Sequence, residues 1–104
     1  MRAAVSGLVK SLANEYGKYG VLVNNVCPGY TRTDRLKELS SRLAHSEGEK
    51  PDEIEQRWAT QVPLGRLGEV EEFANVVAFL ASERASYVNG VSIAVDGGLV
   101  KGIY

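Results

Sequence analysis

The sequence predicts an α/β fold with a parallel sheet that is incomplete as a domain. Apolar residues at helical spacing alternate with short β-branched runs, in the order helix, strand, helical excursion, helix, strand. Strands separated by helical crossovers pair in parallel. The chain has 104 residues but only two predicted strands, which leave sheet edges unpaired. We therefore expect further strands from elsewhere, or self-association.

The first helix is predicted over residues 2–16, with Gly17 or Gly20 as its stop. Its apolar residues share one helix face: Val5, Leu8, Val9, Leu12 and Tyr16. The pattern begins at the second residue and leaves no room for an N-terminal cap. We therefore expect that sequence is missing upstream.

The first strand is predicted over residues 21–26, a short run rich in β-branched side chains. Pro28 and Gly29 should end it sharply, because proline lacks a ladder donor and glycine permits unusual dihedral angles.

A helical flap is predicted over residues of about 34–62, with helices at 34–43 and 52–61. Pro51 precedes the second of these, in which Ile54 and Trp58 stand four residues apart. Both helices are thinly apolar. We expect a surface flap over a site rather than part of the core.

The rest of the chain predicts a second helix–strand unit. A glycine-rich connector at 63–68 leads into a helix over 69–82, with acidic residues in its first turn. Asn89 and Gly90 mark a turn, and an alternating strand at 91–95 stops at Gly97 and Gly98. Residues 1–104 thus form a single partial domain.

Composition excludes several classes of function. Twelve basic and 13 acidic residues give a net charge of -1, with no basic footprint for nucleic acid or a membrane surface. A single cysteine, Cys27, excludes an intrachain disulfide, and no Cys/His cluster has metal-ligand spacing. No signal peptide or spanning segment is present, which predicts a cytoplasmic protein.

The strand end at Pro28 and Gly29 is the main candidate site, because open α/β sheets bind ligands beyond the carboxyl ends of their strands. Glycine there would let the backbone approach a flat ring. A simple strand-terminating turn is the alternative. Cys27 is expected to be a buried small side chain, and His45 to be exposed in the flap.

Four segments together resemble the last third of a short-chain dehydrogenase/reductase, a family of nicotinamide-dependent oxidoreductases. They are the helix Arg2–Ala13, the strand and loop Asn25–Thr33, the connector Pro63–Gly68 with Glu71 and Glu72, and the strand Val91–Gly98. The resemblance implies the C-terminal portion of a Rossmann-like, doubly wound parallel sheet. It also implies that NAD or NADP is the cofactor of the full-length parent.

Cofactor contacts follow from the same resemblance. Pro28 and Gly29 match the loop beside the nicotinamide, where a residue matching Tyr30 or Thr31 pairs with the cofactor through its backbone. A threonine matching Thr33 helps to hold the nicotinamide amide or the diphosphate. Asp96 matches a structural corner.

Arg2 occupies the place of the family's active-site lysine, which lowers the pKa of the catalytic tyrosine and binds the ribose. Arginine keeps the charge but is planar and bulkier. Three explanations of this exchange are open. The parent is a divergent member of the family, Arg2 retains the electrostatic role of the lysine, or Met1 and Arg2 mark an altered terminus. From the residues alone, Arg2 is a solvated arginine at a helix end.

The resemblance places the catalytic serine and tyrosine, and the Gly-rich phosphate loop, upstream of Met1. We therefore expect a fragment of an NAD(P)-dependent enzyme acting on a small-molecule alcohol or carbonyl substrate, inactive alone. The alternative is a non-catalytic interaction module. It would pair with a missing N-terminal half, or with itself through helix 2–16 and the helix–strand unit 69–96.

Overall fold

The structure is a computed structural model that describes residues 2–101, with the side chain of Arg2 excepted. Its helices and strands are α1 (Arg2–Tyr16), β1 (Asn25–Pro28), α2 (Asp34–Glu47), α3 (Pro51–Gln61), α4 (Val70–Leu80) and β2 (Ser92–Val95). Short 3₁₀ turns follow α1 and α4. The predicted order of helices and strands is confirmed.

Within the described residues, the sheet consists of β1 paired in parallel with β2, with Asn25 opposite Ser92 and Pro28 opposite Val95. Helix α1 contacts one face, where Ser6 Oγ lies 2.9 Å from Ser92 Oγ. Helix α4 lies beside Val26, whose side chain points to the opposite face. Every residue of β2 is half-buried because both faces are covered, so the burial does not alternate along the strand.

The predicted position of the first strand was wrong by several residues. Residues 21–24 precede β1, and Val21 and Leu22 are exposed. Asparagine side chains fix the segment before β1. Val23 N–H donates to Asn89 Oδ1 at 2.9 Å, and Val91 N–H donates to Asn24 Oδ1 at 3.1 Å. These asparagine contacts stand in for regular ladder bonds, so the regular strand begins at Asn25.

Helix α1 buries only one edge of its apolar face. Val9 and Ala13 are each 7% exposed, whereas Leu8 is 58% exposed. Val5 and Tyr16 are also exposed. The sheet covers the side of the helix that carries Ser6, Val9 and Ala13, and a broad apolar strip faces outward.

The flap holds the main buried cluster of the described residues, so the expectation that it would not contribute to the core was wrong. The cluster consists of Ala44, Ile54, Trp58, Ala59 and Leu67. Helices α2 and α3 pack on each other and make little contact with the sheet. A two-stranded sheet offers little surface to bury, and the small side chains of Ala44 and Ala59 let the two helices approach closely.

Helix boundaries differ slightly from prediction. Helix α2 continues to Glu47 and ends at Gly48, whose φ of 69° suits glycine. Helix α4 ends at Leu80 and begins with a capping box, in which Glu69 and Glu72 each accept from the other's backbone N–H.

Candidate ligand site at the strand ends

The carboxyl ends of β1 and β2 lie side by side because the two strands are parallel. Residues 29–33 leave β1, and residues 96–98 leave β2. The Gly29 N–H donates to the Val95 carbonyl at 3.2 Å, so the ladder continues one residue past β1. This is the sheet edge at which open α/β proteins bind ligands.

Gly29 is tightly packed against the β2 end. A Cβ at this position would lie 2.5 Å from the Asp96 Cβ and 2.8 Å from the Asp96 Cα. Close approach of the two strand ends therefore requires glycine, which is a reason independent of any bound ring. The predicted contact of Gly29 with a nicotinamide stays a prediction.

The Asp96 carboxylate closes the turn after β2. Its two oxygens accept from the backbone N–H groups of Gly98 and Val100, each at 3.0 Å. Because both oxygens are engaged in this turn, Asp96 forms a structural corner.

Tyr30 points from the β1 loop toward the flap. Its ring stacks on Trp58, with centroids 5.5 Å apart and an interplanar angle of 10°. Its hydroxyl donates to Gln61 Oε1 at 3.4 Å. A small cavity of about 60 Å³ lies beside Tyr30, with Gly68 and Asp96 among its lining residues.

The two segments that enter and leave the flap run side by side. Gly68 N–H donates to the Tyr30 carbonyl at 2.9 Å, and Arg32 N–H donates to the Gly68 carbonyl at 2.8 Å. These bonds form a short parallel bridge between Thr31 and Gly68. We call residues 30–32 together with Gly68 the neck of the flap.

Thr33 caps helix α2. Its hydroxyl oxygen accepts from the Leu36 backbone N–H at 3.2 Å. A capping oxygen still carries its own proton, and the Thr33 side chain is exposed. The hydroxyl can therefore donate a hydrogen bond to an acceptor outside the helix.

A charged pair that the sequence reasoning missed fixes the connector to α4. Arg66 binds Glu72 through two hydrogen bonds of 2.7 and 2.9 Å, and Glu72 also accepts from the Glu69 backbone N–H. The Arg66 hydrogen bonds, followed by that backbone bond, lower the pKa of Glu72 from 4.5 to about 2. The available signal was that Glu72 lies in the acidic first turn of α4, six residues after Arg66.

The structure brings most of the predicted site residues together. Pro28, Gly29, Tyr30 and Thr31 form a continuous path along the strand end, and Thr33 follows at the helix start. Pro28 is exposed, as is the predicted surface residue His45. The side chain of Arg2, the predicted lysine substitute, lies outside the described residues.

Cys27 is half-buried rather than fully buried. Its Sγ accepts from Asn25 Nδ2 at 3.3 Å, which agrees with a packing role.

Across residues 2–101, no group of three or more His, Cys, Asp or Glu side chains has the arrangement of a metal site. No described helix has the length and apolar character needed to cross a bilayer.

Two parallel strands with helices packed on both faces define an α/β protein with part of a Rossmann-like fold. The chain belongs to the short-chain dehydrogenase/reductase family and matches its C-terminal portion. The matching family model, described as enoyl-(acyl carrier protein) reductase, covers residues 1–100.

Relatives agree in sequence and in fold. The 3-oxoacyl-(acyl-carrier-protein) reductase FabG of Aquifex aeolicus is 46% identical over 98 residues, which are 94% of this chain and 35% of that protein. A short-chain dehydrogenase family protein from Francisella tularensis has a TM-score of 0.88 at 35% identity, covering 93% of this chain and 40% of that one.

L-sorbose reductase from Gluconobacter frateurii, solved with NADPH and L-sorbose, also has a TM-score of 0.88. It is 34% identical, over 97% of this chain and 39% of its own. The chain spans about a third of the length of the curated relatives that it matches.

Proposed function

We propose that this chain forms one wall of the nicotinamide pocket and the substrate flap of an NAD(P)-dependent oxidoreductase. The whole protein would transfer a hydride between the nicotinamide and an alcohol or carbonyl substrate. The observation that carries this proposal is the strand-end loop 28–33, which is fixed by backbone bonds to β2 and to the connector. The NADPH in the sorbose reductase structure gives independent support.

The chain's own groups suit that task. Backbone groups of Tyr30 and Thr31 lie just past the end of β1, where a carboxamide would be held. The exposed hydroxyl of Thr33 can donate to a carboxamide or diphosphate oxygen while its lone pair caps α2. When bound, a nicotinamide supplies or accepts the hydride. Residues 28–33 would orient it, and the flap would exclude water from the substrate side.

We expect the isolated 104-residue chain to bind NAD(P) weakly and to turn over no carbonyl substrate. The serine that orients the substrate oxygen, the tyrosine that exchanges the proton and the Gly-rich loop belong to parts of the family pattern without counterparts in these residues. Measurable oxidation of NADPH with any carbonyl compound by this chain alone would contradict the expectation.

The positive test is a chimera in which residues 2–100 replace the matching segment of the Aquifex reductase. We expect the chimera to bind NADPH. Its Thr33→Val variant should bind more weakly than Thr33→Ser, because valine cannot donate a hydrogen bond. Equal NADPH affinity in the two variants would show that the Thr33 hydroxyl does not bind the cofactor.

The same chimera tests Arg2. If Arg2 retains the electrostatic role of the family's lysine, Arg2→Lys and the unchanged chimera should reduce substrate at comparable rates. If the exchange abolished that role, Arg2→Lys should raise the rate by about tenfold or more.

A second candidate is a non-catalytic interaction module. The exposed strip of α1, with Leu8 at its centre, and the edge of β1 that no other described strand pairs with favour it. It would pair with itself or with a separate N-terminal half. Light scattering tests self-pairing: a stable dimer or tetramer that Leu8→Glu dissociates, and Asn14→Glu does not, supports the module.

A further inference from the structure

We propose that Tyr30 is a positioning residue that couples the orientation of the flap to the strand-end loop. The coupling rests on the proposed function only where it involves the cofactor. Its structural basis lies in the Tyr30–Trp58 stack, which joins a loop residue to the centre of the flap.

Apart from Val62, whose side chain lies against Gly97 in the turn after β2, the flap has few other connections to the sheet. Helices α2 and α3 pack mainly on each other, and two side chains outside residues 34–62 pack into their cluster. These side chains are Tyr30, which precedes the flap, and Leu67, which follows it. Tyr30 belongs to the neck and Leu67 directly precedes Gly68, whose N–H donates to the Tyr30 carbonyl.

Tyr30 therefore acts at two places at once. Its carbonyl fixes the neck, and its ring lies against Trp58, which is 8% exposed. The preceding residue, Gly29, is held by Val95 and packed on Asp96. A tilt of the flap moves Trp58, and the stacked ring transmits that movement to the backbone beside Gly29. Binding at the loop would in turn bias the position of the flap.

Hydrogen exchange of the 104-residue chain tests the coupling without a ligand. The readouts are the amides of Gly29, Arg32 and Gly68, which all donate to backbone carbonyls. We expect Tyr30→Leu to raise their exchange rates by about threefold or more, because the substitution removes the aromatic pair. Tyr30→Phe keeps the pair and should leave the rates unchanged. Unchanged rates in Tyr30→Leu would overturn the proposal.

A second variant separates coupling from general loosening of the flap. Trp58→Leu removes the stack from the other side, whereas Ile54→Val weakens the same cluster and keeps both rings. We expect the Gly29 amide to exchange faster in Trp58→Leu than in Ile54→Val. Equal rates would show that flap stability, and not the stack, controls the loop.

The cofactor arm uses NMR with NADPH as the probe. Trp58 is the only tryptophan, so its indole N–H signal reports on the flap alone. We expect NADPH to shift the Gly29 and Thr31 signals in every variant, and to shift the indole signal in the wild type and Tyr30→Phe but not in Tyr30→Leu. An indole shift that persists in Tyr30→Leu overturns the coupling. Loop signals that never shift contradict the weak binding of NADPH expected of this chain, and the exchange experiment then decides the coupling.

Discussion

A Cβ on Gly29 would lie 2.5 Å from the Cβ of Asp96, so the ends of β1 and β2 meet at a distance that only glycine allows. Asp96 cannot retreat easily, because its carboxylate accepts from the N–H groups of Gly98 and Val100. The two strand ends therefore depend on each other. The loop that carries the predicted cofactor contacts is held in place by the turn after β2.

Gly29→Ala should consequently destabilise the chain by about 1–3 kcal/mol, the usual cost of forcing atoms into a packed site. The matched control is Gly7→Ala in α1, where an added Cβ meets nothing within 4 Å and alanine favours the helix. Urea unfolding of both variants measures the difference. A Gly29→Ala protein as stable as Gly7→Ala would mean that the strand ends separate at little cost.

The Arg66–Glu72 pair predicts a specific pH dependence. Because the pKa of Glu72 is lowered from 4.5 to about 2, its carboxylate stabilises the fold fully above pH 4.5. That contribution decreases as the pH falls and is absent below about 2. The stability gap between the wild type and Glu72→Gln should therefore be widest near neutral pH and narrow on acidification.

Urea midpoints at about pH 7, 4 and 2.5 follow this gap as the pH falls through the upper part of the titration. Glu71→Gln, in the same first turn of α4, controls for the loss of one negative charge near the helix N-terminus. A gap that stays constant with pH would assign the effect to side-chain packing and not to the carboxylate.

The sequence predicted the helices better than the contacts between them. Helical spacing located α1, and Pro51 located the start of α3, because both signals are local. Pro28 and Gly29 marked the strand end for the same reason. The start of β1 was misplaced because the side chains of Asn24 and Asn89 take over part of the ladder, which a count of β-branched residues cannot register.

Contacts between residues far apart in the sequence could not be predicted from the spacing of apolar residues. The stack of Tyr30 on Trp58 joins a loop to a helix, and neither residue's place in the sequence indicates that the two rings meet. The flap looked thinly apolar because Ala44 and Ala59 contribute by being small. Burial there depends on how closely α2 and α3 approach, which composition does not reveal.

The buried cluster of the flap makes Ile54 a sensitive position. Ile54 is fully buried, and truncation of such a side chain costs about 2–5 kcal/mol. We expect Ile54→Ala to lower the free energy of unfolding by that amount. Leu64→Ala is the control, because Leu64 is 66% exposed and exposed substitutions stay within about 0.5 kcal/mol. Similarly small losses of unfolding free energy in both variants would show that the flap is a loosely packed surface insertion.

Thr33 has a structural role as well as its proposed part in cofactor binding, and the two can be separated by substitution. Thr33→Val removes the oxygen that accepts from Leu36 N–H. It should lower the free energy of unfolding by about 1 kcal/mol and speed hydrogen exchange in the first turn of α2.

Thr33→Asp keeps an accepting oxygen, so the helix should start normally. An ionised carboxylate cannot donate, however, and it repels a diphosphate. In the chimera with the Aquifex reductase, Thr33→Asp should therefore fold as well as the unchanged chimera but bind NADPH more weakly. If Thr33→Asp binds NADPH normally, the threonine serves α2 alone.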